Sequence, residues 1–149
     1  MKRIVIAVFL ILSCSIAGAQ VKFEKGWIMD NAGNKTECLI KDAGKFCAQS
    51  QVTYRLTKDS QSEVADIMDV KALYVGGTLY ERHTFEYDES EAFLTSNSSQ
   101  SPDPEYVKTT AFLRVVCDGP ARLYRYDVPS VKDNFFISTE EDPTPKYLI

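Results

Sequence analysis

The chain predicts an all-β fold, a single antiparallel meander of short strands forming a sandwich or a partly rolled barrel. Three observations predict it. Apolar and polar residues alternate at period two in short runs, most clearly in Val52-Thr53-Tyr54-Arg55-Leu56-Thr57-Lys58. Turn signals separate the runs: Asp30-Asn31-Ala32-Gly33-Asn34, Gly76-Gly77 and Asp118-Gly119-Pro120. One segment alone, around residues 61–70, carries helical spacing.

Taken in order, Trp27-Ile28-Met29 forms a strand that reverses at the Asp30–Asn34 turn. Residues 35–41 follow, with Thr36, Cys38 and Ile40 on one side and mostly charged residues on the other. After the run at 52–58, Ser60-Gln61-Ser62-Glu63 has the form of a capping box, and Val64, Ile67 and Met68 follow at helical spacing. Two readings stay open there: a short helix, or a short strand with a helical turn around 66–70. Residues 72–75 and 78–87 make a hairpin across Gly76-Gly77. Residues 107–117 and 121–127 make another, and the run Ala111-Phe112-Leu113-Arg114-Val115-Val116-Cys117 is apolar on nearly both faces, as a central strand requires. Residues 134–138 add a last strand. Between strands, residues 88–105 are acidic, then Ser/Asn/Gln-rich, then Pro-Asp-Pro, the composition of a long loop.

The first 19 residues read as a signal peptide. Lys2 and Arg3 precede nine consecutive apolar residues, 4–12, and Ala17-Gly18-Ala19 supplies the small residues of a cleavage site. The apolar run falls well short of the ~20 residues that span a bilayer. Ser13-Cys14 resembles the end of a lipobox, but bulky Leu12 stands where that motif prefers a small residue. Cleavage after Ala19 therefore fits better than lipid anchoring at Cys14. The expected mature chain is exported to the periplasm, the outer-membrane surface or the medium, with residues 20–141 as its β domain and no transmembrane segment. It retains 15 basic and 21 acidic residues, a formal charge of −6. Nucleic acid is excluded as a partner, because its binding needs Lys and Arg to neutralise phosphates.

Chemistry-bearing residues are sparse. His83 is the only histidine and lies mid-strand, away from any nucleophile motif, so it reads as a structural or solvated histidine. His83 with Cys38, Cys47 and Cys117 would supply four zinc ligands by count, but at spacings unlike paired knuckles. Glu86, Asp88, Glu89 and Glu91 read as a solvated acidic loop. No cofactor and no metal are expected. Loss of Cys14 leaves three cysteines; Cys38–Cys47 is the local disulfide choice, with Cys117 a buried strand thiol facing the same way as Val115, and Cys38–Cys117 is the rival. The constellation with positive value is Arg122-Leu123-Tyr124-Arg125-Tyr126. At period two, Arg122, Tyr124 and Tyr126 share a face, and aromatic faces beside a guanidinium can stack on sugars or hold anionic head groups. The same tyrosines also suit cross-strand packing in a half-buried sheet, the commoner role of tyrosine in strands.

Three blocks carry a resemblance: GWIMDNAGNKTECLIK (26–41), DVKALYVGGTLYER (69–82) and FLRVVCDGPARLYRY (112–126). Together they resemble a family of uncharacterised exported β-rich proteins of Bacteroidota. In some relatives such a domain precedes an outer-membrane β-barrel. The resemblance carries no catalytic residues, and Cys38 and Cys117 stand where other residue types are usual. The lack of a His-based or metal-based constellation in the sequence favours a non-catalytic envelope module whose partner is a surface glycan, a lipid head group or a protein. The alternative is a hydrolase-type enzyme built from loop carboxylates. At the far end, residues 142–149 read either as a linker-like or truncated tail, which the resemblance favours, or as a segment docking Tyr147, Leu148 and Ile149 onto the sheet.

Overall fold

The computed structural model describes residues 21–42, 44, 46–88, 106–127 and 134–148. The expected signal segment 1–19 and the loop from 89 to 105 lie outside the described residues. Ten strands form one antiparallel sheet curled into a half-barrel, the partly rolled alternative rather than a sandwich. In chain order they are β1 (Phe23–Asp30), β2 (Lys35–Lys41), β3 (Gln51–Arg55), β4 (Glu63–Asp66), β5 (Val70–Val75), β6 (Thr78–Asp88), β7 (Tyr106–Cys117), β8 (Ala121–Tyr126), β9 (Asn134–Thr139) and β10 (Lys146–Tyr147). Their order across the sheet is β10-β9-β8-β7-β6-β5-β1-β2-β3-β4. None of the described helices is long and apolar enough to cross a membrane.

The turns form as their residues dictate. Asp30 Oδ1 accepts the backbone N–H groups of Ala32 and Asn34 at 2.9 and 2.8 Å, closing the β1–β2 hairpin. Gly76 and Gly77 both take positive φ, 58° and 80°, in a two-residue hairpin whose twist matches the flanking strands. Gly26, mid-β1, serves by its size instead. A Cβ there would run into the Tyr74 backbone carbonyl, so β1 can lie beside β5 only with glycine at this position.

The helix reading of 61–70 gives way to its alternative. Glu63–Asp66 pairs with β3 as an edge strand, and Asp66 and Ile67 carbonyls then accept the N–H groups of Asp69 and Val70 in a tight turn. Strand pairing with β3 satisfies the backbone groups that a capped helix would otherwise have used. Arg82 reaches across from β6 to donate to the carbonyls of Ile67 and Met68, and to Asn31 Oδ1, holding that turn against the β1–β2 hairpin.

The sheet buries opposite faces in its two halves. On one face, Ile40, Val52, Val70, Leu73 and Phe112 form a core covered by a 3₁₀ turn, Phe46–Ala48. On the other, Phe85, Leu113, Tyr124, Tyr126 and Phe136 form a second core, and there the sheet curls until β10 touches β6. Strand β7 belongs to both: Phe112 faces the first core, Ala111 and Leu113 the second. That is why its sequence is apolar on both faces.

β10 extends the sheet past residue 141, where the sequence reading ended the domain. Tyr147 pairs opposite Phe136 and packs on its ring at 5.4 Å, and Pro145 is buried. Of the three residues in the docking reading, Tyr147 docks, Leu148 is exposed, and Ile149 lies outside the described residues. Cys38 and Cys47 are both free, in place of the expected pairing, because they pack into different cores. Burial pushes each thiol up to about 11. Cys117 is also free, but exposed rather than buried. A bulge between Val115 and Cys117 inserts Val116 as an extra residue, so Cys117 pairs opposite Leu123 and turns away from the Val115 face.

Candidate functional site

A pocket of about 330 Å³ opens where β6, β8 and β9 meet the β7–β8 turn and the segment after β9. Register brings its walls together. Glu81 pairs with Leu113, Val115 with Tyr124 and Tyr124 with Phe136, so Glu81, His83, Arg122, Tyr124 and Ser138 all project from one face. Gly119 and Pro120 from the β7–β8 turn, Thr139 at the end of β9, and Glu140 and Pro143 after it complete the lining.

Glu81 is the hub. Its Oε1 accepts Arg122 Nη1 at 2.8 Å, and its Oε2 accepts the Tyr124 hydroxyl at 3.1 Å. His83 Nε2 lies 3.4 Å from the same Oε2; an ionised carboxylate only accepts, so in this contact Nε2 carries the proton. The contact with His83, then the Arg122 charge and the Tyr124 bond, hold the Glu81 carboxyl below its ordinary range against the opposing effect of burial. Arg122 Nε also donates to Asp118 Oδ1 at 2.6 Å. That bond first, and Glu81 second, raise the guanidinium pKa still further. The His83 ring stands edge-on to Tyr124 at 5.1 Å, and Ser138 Oγ donates to the Tyr124 oxygen at 3.4 Å.

This arrangement corrects part of the expectation. Arg122 and Tyr124 do line one pocket, but Tyr126 does not. Its ring is buried against Phe85 at 5.0 Å and Tyr87 at 5.3 Å, in the second core. Tyr124 is only 2% exposed, so it offers the pocket its hydroxyl and not a stacking face. The curl of the sheet takes both rings into the core. Arg125, on the opposite face of β8, shares the Asp127 carboxylate with Arg114, each at 2.8 Å. Glu81, Asp118 and Ser138 escaped the sequence reading, because they reach Arg122 and Tyr124 through strand pairings and a turn that no local spacing marks.

For metal, the four residues that zinc would need by count are dispersed, and among the described residues no three His, Cys, Asp or Glu side chains group as ligands. The arrangement suits hydrogen bonding to a small polar ligand. Arg122 is matched by two carboxylates, with Glu140 a third acid at the rim, so the pocket is not a cationic trap for phosphate. Fold and site thus define an all-β half-barrel protein with a polar pocket held by a carboxylate–guanidinium–phenol network. Neither a family model, a curated protein nor a solved structure matches this chain.

Proposed function

We propose that the protein is an exported, non-catalytic module of a cell envelope that binds a neutral glycan end unit in the Glu81–Arg122–Tyr124 pocket. The observation that carries the reading is the preformed network around Glu81. Side chains already held by one another lose little freedom when a ligand arrives. Their remaining donors and acceptors suit hydroxyl groups, and the surplus of carboxylates disfavours an anionic head group. The pocket lies at the small end of the ~300–1,000 Å³ usual for ligand sites, which suits one sugar unit. Glu81 is kept ionised, with both oxygens committed to neighbours, and this supports positioning over proton transfer.

The test is an NMR titration of the purified chain with neutral mono- and oligosaccharides. Expected are shifts confined to β6, β8 and β9, and at least tenfold weaker binding in Arg122→Met, whose side chain is partly exposed, with the dispersion of the NMR spectrum checking that the variant is folded. No shift with any neutral saccharide, or equal affinity in Arg122→Met, would overturn the reading. Turnover of a glycoside or ester would restore the hydrolase alternative.

A further inference from the structure

We propose that a second site, on the face of β1, β2 and β3, holds an anionic single-chain amphiphile. Its alkyl chain lies along Phe23, Leu39 and Leu56, and its charged head sits among Lys25, Arg55 and Lys58. The site is separate from the Glu81 pocket and stands independently of the glycan reading.

The register builds it. Lys25 pairs with Leu39, and Leu39 with Arg55, so one row across three strands sets a cation on each side of a leucine. Phe23 pairs with Lys41 in the neighbouring row of the same face. The Arg55 guanidinium lies over the Phe23 ring, 4.3 Å from its centre, and Arg55 Nε donates to Ser62 Oγ at 2.8 Å. Both contacts hold the side chain in place while leaving its terminal nitrogens without a carboxylate among the described residues. Thr57 and Lys58, just past β3, wall a groove of about 770 Å³.

Charge and apolarity together name the occupant. The whole chain is acidic, at −4. Elsewhere its cations are mostly matched: Lys35 by Glu37, Arg114 and Arg125 by Asp127, Arg122 by Glu81 and Asp118. Lys25, Lys41, Arg55 and Lys58 make no ion pair among the described residues, and no carboxylate lines the groove. Four unmatched cations on one face create a local positive potential in an otherwise acidic molecule. A bare inorganic anion would answer the charge but leave Phe23, Leu39 and Leu56 in water; Leu56 is 48% exposed. An alkyl chain ending in a carboxylate or phosphate answers both.

Calorimetric titration of the purified chain with laurate and with dodecyl phosphate, each below its micelle-forming concentration, tests this. Expected is one molecule bound per chain, with at least tenfold weaker binding of dodecyltrimethylammonium. The charge reversal Lys25→Glu/Lys58→Glu, at two exposed positions, is expected to weaken laurate at least tenfold without moving the unfolding temperature. Arg55→Gln is the second variant, expected to weaken laurate by a similar factor. Many molecules bound per chain, equal affinity for the cationic amphiphile, or unchanged laurate affinity in both variants would overturn the proposal. So would binding to phosphatidylglycerol vesicles with no binding of either monomeric amphiphile, which would mark a membrane-docking face instead.

Discussion

Three side chains, His83, Arg122 and Tyr124, converge on the Glu81 carboxylate, and that convergence makes the pocket sensitive to acid. The sign follows from linkage. The folded-state pKa of Glu81 lies below its unfolded value, so the network stabilises the fold fully above the ordinary carboxylate range. That contribution is lost as pH falls through the folded pKa. Stability measured by urea unfolding should therefore hold from neutrality to about pH 5 and decline below about pH 4, near and under the usual glutamate pKa. Glu81→Gln should be less stable at neutral pH and should lose part of that acid slope. Parallel acid limbs in the two proteins would show that the network is not the titrating element.

Among the elements, β10 is the shortest strand, yet it closes the curled half of the sheet. Two residues pair with β9, Tyr147 packs on Phe136, and its hydroxyl donates to Asn134 Oδ1 at 3.1 Å. Asp142, bonded to Lys146 and to the Thr144 N–H, shapes the turn that brings it back. Tyr147→Ala removes a half-buried ring and should cost about 2 kcal/mol, less than the truncation of a fully buried aromatic. The thermal midpoint should fall by roughly 4–8 °C in a chain of this size. An unchanged midpoint would mean that β10 adds nothing to the fold. The β7 bulge is the other decisive element, since one extra residue, Val116, turns Cys117 outward.

At the scale of the whole molecule, the proposed export and the thiol state can be tested together on the full chain expressed in a bacterial host. Intact mass should correspond to a chain beginning at Gln20, with three free thiols. Before denaturation only Cys117 should react with a thiol reagent at pH 8, because Cys38 and Cys47 are buried and their thiols are pushed up to about 11. A lipid-labelled chain beginning at Cys14 would overturn the cleavage reading. A linked peptide joining residues 38 and 47 would overturn the free-thiol structure.

The sequence by itself determined most of the strands, though not β4 or β10. Period-two patterning, Gly76-Gly77 and the Asp30–Asn34 turn are local signals, because alternation and positive φ act within a few residues. It also marked β7 as central from its two apolar faces, and it put Arg122 and Tyr124 on one face of β8. Only the tertiary structure decided which face each half of the sheet buries. It therefore also decided that Tyr126 belongs to the core and that Cys38 and Cys47 lie in separate cores. The bulge at Val116 and the pairing of residues 63–66 with β3 were settled the same way. The pocket itself joins Glu81 to Arg122 across β7, at a sequence separation of 41. A contact of that kind leaves no trace in local spacing, because the curl of a ten-stranded sheet creates it.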